Sequence, residues 1–271
     1  MINWIKDKYY WWKTNRVLKV FLSNWEGQKI LLFGYPKSGN TWLRFLLFNY
    51  RTLLYQELSE TISYNRLNSL QNNVMDRGTT FPPEDDYPLF YRTHKIYKKS
   101  YELFNYKIFI HRNPLDTLIS GYYFYKNREI PFHNDPQHLR KKLHNIDFYV
   151  KYKIQSWINF YFISVTKADS IINYTSLKRD CFFEIKTLIE KLNWEINEDK
   201  IRRSIEFSSF KNVKRMAQRK GQKYGNAPKD GTFFGVFTRS GEEGQYKKEL
   251  KKETINYVIN KFSILKKLYN L

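Results

Sequence analysis

This sequence has almost no cysteine and no apolar run that predicts a membrane-crossing segment. Cys181 is the single cysteine among 271 residues, so the chain cannot form an internal disulfide and gives no sign of an oxidising compartment. Residues 1–25 carry a charge every few positions, which argues against both a signal-peptide core and a spanning helix. No Pro/Gly/Ser-rich linker or repeat divides the chain. We therefore expect one domain over residues 1–271 in a soluble, cytoplasmic protein.

Acidic residues are also scarce. The chain has 47 Lys and Arg residues against 26 Asp and Glu residues, a formal net charge of +21. This excess favours an anionic ligand, nucleic acid or a membrane surface, but AT-rich codon usage would give the same abundance of Lys, Asn, Ile, Tyr and Phe. The aromatic and basic segment 1–27 is predicted to be helical and packed on its own domain, with peripheral membrane contact as the alternative. Charge alone therefore selects no partner.

Short apolar runs alternate with helical patterns along the chain. The predicted strands are 28–34, 88–93, 106–111 and 169–174. The predicted helices are 41–55, 114–125, 176–192 and 246–270, and residues 136–167 are predicted as one long helix or a pair. This alternation is typical of an α/β fold in which a central parallel sheet is flanked by helices. Residues 57–87 and 216–240 have no clear pattern, and long loops in compact domains often cover or line a binding site.

A glycine-bounded loop joins the first predicted strand to the first predicted helix. Its sequence, GYPKSGNTW from Gly34 to Trp42, has the glycine spacing of a phosphate-binding loop. An ATP- or GTP-binding loop would carry Lys and then Ser or Thr after the second glycine. This chain has Asn40 and Thr41 there, and its lysine, Lys37, lies inside the loop. Successive backbone N–H groups and the start of the helix can still hold an anion.

A second anion site is predicted after the strand 106–111. Asn113 is a good N-cap and Pro114 suits the first helical position, so a helix is expected to begin here. Arg112 stands immediately ahead of the positive end of that helix, and Ser120 follows two turns later. Because the carboxyl ends of parallel strands share one edge of a sheet, this site should lie beside the glycine-bounded loop.

Together, the stretches YPKSGNTW (35–42) and RNPLDTLISGYYF (112–124) resemble the two nucleotide-binding signatures of sulfotransferases that use 3′-phosphoadenosine 5′-phosphosulfate (PAPS). The resemblance is to the cytosolic type, in a chain expected to be bacterial. It implies a single-domain, three-layer P-loop-like fold, PAPS as sulfuryl donor, 3′-phosphoadenosine 5′-phosphate (PAP) as product, and no metal. The resemblance implies that Trp42 contacts the adenine and that Arg112 and Ser120 contact the 3′-phosphate. The implied contacts of the 5′-phosphosulfate are Lys37, Ser38, Gly39, Asn40 and Thr41.

Two weaker resemblances add nucleotide contacts. The stretch YTSLK (174–178) is similar to the family pattern that contains an adenine-contacting tyrosine, which implies this role for Tyr174. The stretch SSF (208–210) resembles a family segment that contacts the nucleotide, and it implies contacts from Ser208 and Phe210.

The last family element, Arg-Lys-Gly, has two candidates within a nucleotide-covering loop expected over residues 216–245. Residues 219–221 match the element by letter. Arg239, Ser240 and Gly241 match it by their separation from the SSF segment and from the end of the chain. Spacing leads us to assign the role to these three, although serine then replaces the family's lysine.

The displaced lysine fits sulfuryl transfer. A transferring sulfuryl group carries less negative charge than a phosphoryl group, so one cation near the bridging oxygen can replace Mg²⁺. The resemblance implies Lys37 as this cation. The family's base is the histidine of a Lys-Thr-His element, which RTH (92–94) resembles. His94 is therefore implied as the general base, with Lys37 and Ser120 as the other catalytic residues.

The predicted function is transfer of a sulfuryl group to a hydroxyl or amine of a small-molecule or sugar acceptor. The enzyme is expected to be a monomer or homodimer that binds no nucleic acid, and residues 57–87 and 126–147 are expected to line the acceptor site. Two alternatives stay open at this point. One is a P-loop kinase-like phosphotransferase, which lacks its lysine before Thr41. The other is a non-enzymatic module that binds anions or nucleic acid.

Overall fold

The computed structural model describes residues 20, 22–23, 27–70, 72–73, 89–95, 101–127, 136–219 and 241–269. Within them, five strands form one sheet: β1 (Lys29–Phe33), β2 (Asn72–Asn73), β3 (Leu89–Thr93), β4 (Tyr106–His111) and β5 (Ser170–Asn173). Their order is β2-β3-β1-β4-β5, and every neighbouring pair is parallel. The parallel sheet predicted from the alternating pattern is confirmed.

Helices of the described chain surround this sheet. They are α1 (Asn40–Tyr55), α2 (Tyr64–Ser69), α3 (Pro114–Asn127), α4 (Ile146–Val165), α5 (Tyr174–Arg179), α6 (Cys181–Lys191), α7 (Glu198–Phe207), α8 (Phe210–Arg219), α9 (Tyr246–Glu249), α10 (Lys252–Lys261) and α11 (Ile264–Tyr269). Short 3-10 turns lie at Tyr101–Leu103, Gln137–Leu139 and Lys142–His144. None of the described helices is both long enough and apolar enough to cross a membrane.

Apolar side chains cover both faces of the sheet. On one face, α1, α6 and α7 bury a cluster in which the rings of Phe48 (α1) and Phe90 (β3) meet edge to face at 4.9 Å. On the other face, the rings of Phe33 and Phe109 stack at 5.4 Å, and Phe160 of α4 joins them. A further cluster joins α3, α4 and the C-terminal helices. Helices, sheet and helices therefore form the three layers that were expected.

Two predicted helices are divided by capping residues. The predicted helix 136–167 holds two 3-10 turns before α4 begins, because the Asn145 side chain caps α4 by accepting a hydrogen bond from the Phe148 N–H at 2.9 Å. The predicted helix 176–192 breaks at Asp180, whose carboxylate accepts from the Phe183 N–H at 3.0 Å and begins α6. Short polar side chains thus end these elements earlier than the apolar periodicity indicated.

Other sequence predictions need correction. The predicted helix 246–270 is three short helices, α9 to α11. The sequence predicts no secondary structure for segment 57–87, but it contains α2 and β2, and α8 runs into the start of the covering loop expected over 216–245. Helix α7 has no counterpart among the predicted helices. Most of segment 1–27, and part of each expected loop, lie outside the described residues.

Candidate active site

The predicted polar residues lie at one edge of the sheet. Because all strands are parallel, the carboxyl ends of β3, β1, β4 and β5 lie side by side at this edge. From central β1 the chain leads to β3 on one side and then crosses to β4 on the other, which makes a switch point in the strand order. Ligands of open α/β sheets bind in the crevice at such a point.

Two glycines shape the loop that follows β1. A Cβ atom on Gly34 would lie 2.5 Å from the carbonyl oxygen of Ile110, so only glycine fits where β1 passes β4. Gly39 has φ +103°, and a Cβ atom there would lie 2.6 Å from the ring of Tyr174. Lys37 is also left-handed, with φ 73°. Because the N-cap of α1 is Gly39, no side chain caps that helix, and its first N–H groups can meet an anion.

Side chains of the loop add donors to these N–H groups. Ser38 is fully buried, and its hydroxyl has no hydrogen-bond partner among the described residues. Leaving such a group unsatisfied costs about 1–3 kcal/mol, so a ligand oxygen that accepts from it would stabilise the loop. Lys37 extends over the Phe124 ring of α3, with Nζ 4.5 Å from the ring centroid. Asn40 closes the loop by donating to the Tyr35 carbonyl at 3.3 Å.

An aromatic wall stands beside the loop. Tyr174, the first residue of α5, meets the ring of Trp42 from α1 with 5.5 Å between centroids and 66° between planes. The guanidinium of Arg112, at the end of β4, lies 4.7 Å from the centroid of the Tyr174 ring. Three residues that were expected to contact adenine and the 3′-phosphate are therefore neighbours in the fold.

Arg112 combines burial with an open donor. Its side chain is 5% exposed, one NH2 group donates to the Glu242 carbonyl, and within the described chain Nε has no partner. A buried guanidinium needs its donors satisfied, so an anion at this position would be a favourable ligand. Asn113 caps the following helix by accepting from the Leu115 N–H at 2.9 Å, as predicted, so Arg112 lies just ahead of the positive end of α3.

The segment after residue 240 is held against this wall. The Gly241 carbonyl accepts from the Tyr174 hydroxyl at 3.3 Å and from the Lys178 ammonium at 3.0 Å. The ring of Phe210 would lie 3.6 Å from a Cβ atom on Gly241, which itself has φ +66°. Gly241 is thus beside the predicted nucleotide residues. Its predicted companions Arg239 and Ser240 lie outside the described residues.

Asp116 fixes the same segment further along. Its carboxylate accepts from the backbone N–H groups of Gly244 at 2.8 Å and Tyr246 at 3.2 Å. Burial raises the pKa of Asp116, while the two N–H bonds and the charge of Arg112 oppose that rise. These bonds could not be predicted from the sequence, because a contact between residues so far apart in the chain leaves no local pattern.

His94 follows β3 on the other side of the loop. Its Nδ1 lies 2.8 Å from the Gly34 carbonyl oxygen, and because a carbonyl only accepts, Nδ1 carries the proton and Nε2 has the lone pair. Desolvation and the charges of Arg92, Arg44 and Lys37 lower the pKa of His94 from 6.5 to about 4, opposed by the Gly34 bond. The ring keeps solvent-exposed surface, which limits this desolvation. The imidazole is therefore neutral at neutral pH.

The remaining predicted residues are placed unequally. Thr41 lies in the first turn of α1 and Ser120 on α3, and both are partly exposed. Ser208 is fully buried, and its hydroxyl accepts a hydrogen bond from the Asn49 amide at 2.9 Å inside the core. In this arrangement the Ser208 hydroxyl is bonded inside the core. The side chain of Arg219, the competing arginine, is not among those described.

The sequence analysis gave His111 no role because the partner of its side chain comes from the far end of the chain. The hydroxyl of Tyr269, in α11, lies 2.5 Å from Nδ1 of His111, and burial lowers the pKa of that histidine to about 4. The rings of Tyr161 and Tyr269 pack edge to face on His111. The strand end that carries Arg112 is thereby anchored on α4 and α11.

These features fit a ligand with two anionic groups. Within the part of the chain that the structure describes, the Ser38 hydroxyl in the loop and the Arg112 Nε beside the aromatic wall are buried donors without a partner. Among the described residues, no three His, Cys, Asp or Glu side chains come together as a metal site. Fold and site together define a class, the α/β proteins that bind a nucleotide at a switch point through a loop and a helix start.

The sequence profile of the sulfotransferase domain matches residues 27–269, so the chain belongs to the sulfotransferase family. Rat sulfotransferase 2A1 is 25% identical over 238 residues, which cover 81% of this chain and 78% of the rat protein. Mouse sulfotransferase SULT7A1, in a crystal structure with PAP, has a TM-score of 0.57 at 16% identity and covers 90% of this chain and 85% of its own. Retinol dehydratase with androsterone and PAP has a TM-score of 0.60 at 15% identity, over 89% and 81% of the two chains.

Family membership confirms the class predicted from the two signatures, a PAPS-dependent sulfotransferase, and the structural neighbours confirm its P-loop-like fold. The two alternatives, a P-loop kinase and a non-enzymatic binding module, gain no support. The expected roles of individual residues, the acceptor and the metal requirement go beyond what family membership gives.

Proposed function

We propose that this sulfotransferase transfers the sulfuryl group of PAPS to a hydroxyl or amine of a small-molecule or sugar acceptor, with His94 as general base. One observation carries the proposal. The Gly34 carbonyl, at the first residue of the anion-binding loop, holds the Nδ1 proton of His94 at 2.8 Å and leaves Nε2 unprotonated. The base is thereby attached to the loop that is proposed to hold the donor.

The residues around the loop fit PAPS, which supplies an activated sulfuryl group on a 5′-phosphate. The first N–H groups of α1, the Ser38 hydroxyl and the side chains of Asn40 and Thr41 would bind the phosphosulfate. Trp42 and Tyr174 would contact the adenine. Arg112, whose Nε has no partner in the described chain, and Ser120 would bind the 3′-phosphate.

The contacts of Gly241 support a covering role for its segment. Gly241 is bonded to Tyr174 and lies against Phe210, which favours the assignment of Arg239 and Ser240 over residues 219–221. The proposed contact of Ser208 is the least supported, because the hydroxyl is bonded to Asn49 inside the core.

Two groups of the chain then carry the chemistry. Nε2 of His94 takes the proton of the acceptor hydroxyl or amine as the acceptor attacks. Lys37 places a positive charge at the loop, where it stabilises the negative charge that develops on the leaving phosphate. This cation takes the place that Mg²⁺ has in phosphoryl transfer, so we propose that no metal is required.

The proposal extends to the organisation and location of the protein. The enzyme is proposed to form a single domain over residues 1–271 and to act in the cytoplasm as a monomer or homodimer that binds no nucleic acid. Peripheral membrane contact through segment 1–27 is the one membrane interaction it would make.

A nucleotide titration tests the donor site. PAP and AMP differ only in the 3′-phosphate, so PAP should bind about ten- to a hundredfold more tightly in calorimetry. Arg112→Ala should abolish this preference. Arg202→Ala, which removes an exposed arginine of α7, should keep it. Equal affinity for PAP and AMP in the wild-type protein would contradict the donor assignment, and loss of activity in excess EDTA would contradict the metal-free mechanism.

A further inference from the structure

The packing of α1 on β3 brings two arginines to one place. The Phe48 ring of α1 meets the Phe90 ring of β3 at 4.9 Å, which fixes the register of the two elements. Arg44 lies one turn before Phe48, towards the start of α1, and Arg92 lies two residues after Phe90, on the same face of β3. Because α1 starts at the carboxyl edge of the sheet, both arginines lie towards that edge, beside His94.

The Arg44 guanidinium is positioned by α2. It is 1% exposed, its NH2 group donates to the Asn68 side-chain oxygen at 2.8 Å, and its Cζ lies 5.9 Å from the Tyr64 ring centroid. Holding a guanidinium out of water in a fixed position is costly, and neutral partners offset only part of the cost. Arg92 is half-buried, and its Nε has no hydrogen-bond partner within the described residues.

These two charges stand apart from the proposed nucleotide site. Trp42, two residues before Arg44, points to Tyr174 at the β5 end of the sheet, whereas Arg92 lies on β3, on the opposite side of β1. The positive charges of Arg92, Arg44 and Lys37 all act on His94. A donor held by Lys37 would compensate one of the three, and Arg92, whose Nε has no partner within the described residues, would still offer a positive charge beside the base.

We propose that the acceptor carries an anionic group, a carboxylate or a phosphate or sulfate ester, that binds at Arg92 with Arg44 behind it. The proposal rests on the proposed function, because it places the acceptor beside His94. The guanidinium groups would orient the acceptor by this anionic group, so that its hydroxyl or amine reaches Nε2 of the base. Neutral acceptors of the same shape would lack this contact.

Matched pairs of acceptors test the proposal by binding, without need for turnover. The protein is saturated with PAP, and calorimetry then measures 4-hydroxybenzoate against its methyl ester, glucuronate against glucose, and glucose 6-phosphate against glucose. In at least one pair the anionic member should bind about tenfold or more tightly than the neutral one. Absence of an anion preference in all three pairs would overturn the proposal.

Variants locate the preference. Arg92→Gln and Arg44→Gln should each reduce it by about fivefold or more. Arg66→Gln removes the same charge from the exposed surface of α2 and should leave the preference intact. A preference that persists in Arg92→Gln would overturn the proposal even if Arg44→Gln proved too unstable to use. PAP binding is measured in the same samples: if PAP is not preferred over AMP the donor assignment fails, whereas normal PAP binding without anion preference refutes this inference alone.

Discussion

The site has two sides, one on each side of β1, and different kinds of contact hold their residues in place. On the β5 side, Tyr174, Arg112 and Gly241 are tied together by bonds to backbone carbonyls and by ring contacts. On the β3 side, Arg44 and Arg92 depend on side-chain packing between α1, α2 and β3, and one carbonyl bond fixes His94. The residues of the β5 side therefore lie in short stretches that the sequence shows, although the bonds that join these stretches span 67 and 130 positions of the chain. The β3 side is specified by the register of elements that lie far apart in sequence.

In our proposal, this difference separates two tasks. Every PAPS-dependent enzyme meets the same nucleotide, so a cradle built from backbone and a few anchoring side chains suffices. The acceptor differs from one enzyme to another, and side chains brought together by packing can change without disturbing that cradle. Substitutions on the β5 side should therefore act mainly on nucleotide affinity, and those on the β3 side mainly on turnover and on acceptor choice.

The largest effect is expected at His94. His94→Ala should lower kcat by about 10²–10⁴-fold, because no other group would take the acceptor proton, while PAP affinity stays near that of the wild type. His138→Ala removes an exposed histidine of a 3-10 turn and serves as the control. Steady-state kinetics together with PAP calorimetry measure both quantities. A large fall in PAP affinity with unchanged kcat would contradict the role of general base and would assign His94 to nucleotide binding.

The second prediction tests which of two arginines, Arg239 or Arg219, contacts the 3′-phosphate on the β5 side. Arg239→Ala should weaken PAP binding by about ten- to a hundredfold and leave AMP binding nearly unchanged, because only the charge-assisted bond to the 3′-phosphate is lost. Arg219→Ala should resemble the wild type in both titrations. The reverse result would show that letter matching to the family element was right and that the spacing argument was wrong.

A glycine pair separates backbone strain from steric contact. Gly39 and Gly244 both have positive φ, but a Cβ on Gly39 would lie 2.6 Å from the Tyr174 ring, whereas nothing lies within 4 Å of one on Gly244. Left-handed strain costs about 1–2 kcal/mol in either variant. Gly39→Ala should therefore weaken PAP binding by about tenfold, and Gly244→Ala by clearly less. Equal losses of PAP affinity in the two variants would mean that the close contact between Tyr174 and Gly39 is not required for PAP binding.

The smallest effect concerns the charge of His94. Lys37, Arg92 and Arg44 lower its pKa, so an anion bound at the loop should raise that pKa from about 4, by about one unit. An NMR titration of labelled histidine with and without PAP measures the shift. Because the pKa of folded His94 lies below its unfolded value, its protonation destabilises the fold as pH falls from about 6.5 towards 4. An unchanged His94 pKa in the PAP complex would place the phosphates elsewhere.

Much of the β5 side could be predicted because its signals are local. Gly39 requires positive φ between a strand and a helix, and Asn113 with Pro114 is a capping pattern that can be read from adjacent letters. These features place the loop and Arg112 on neighbouring strand ends before any coordinates are known. The parallel sheet then follows from the alternation of strands and helices.

The β3 side could not be read in the same way. In sequence, Arg44 stands on an ordinary amphipathic helix, and only the packing of α2 on α1 shows that it is buried and bonded to Asn68. Likewise, Ser208 lies in a motif that predicts nucleotide contact, but the core position of Asn49 directs its hydroxyl elsewhere. The sequence records neither the burial of a charge nor the direction of a side chain when both depend on tertiary packing.

Gly34 joins three strands at one residue. It follows β1, its carbonyl oxygen bonds the histidine that follows β3, and its missing side chain admits the carbonyl of Ile110 in β4. The separation between the proposed base and the proposed donor loop therefore depends on one bond from the His94 ring to a main-chain carbonyl. Laboratory evolution towards new acceptors can vary positions near Arg92 while this bond keeps the spacing of the proposed reacting groups.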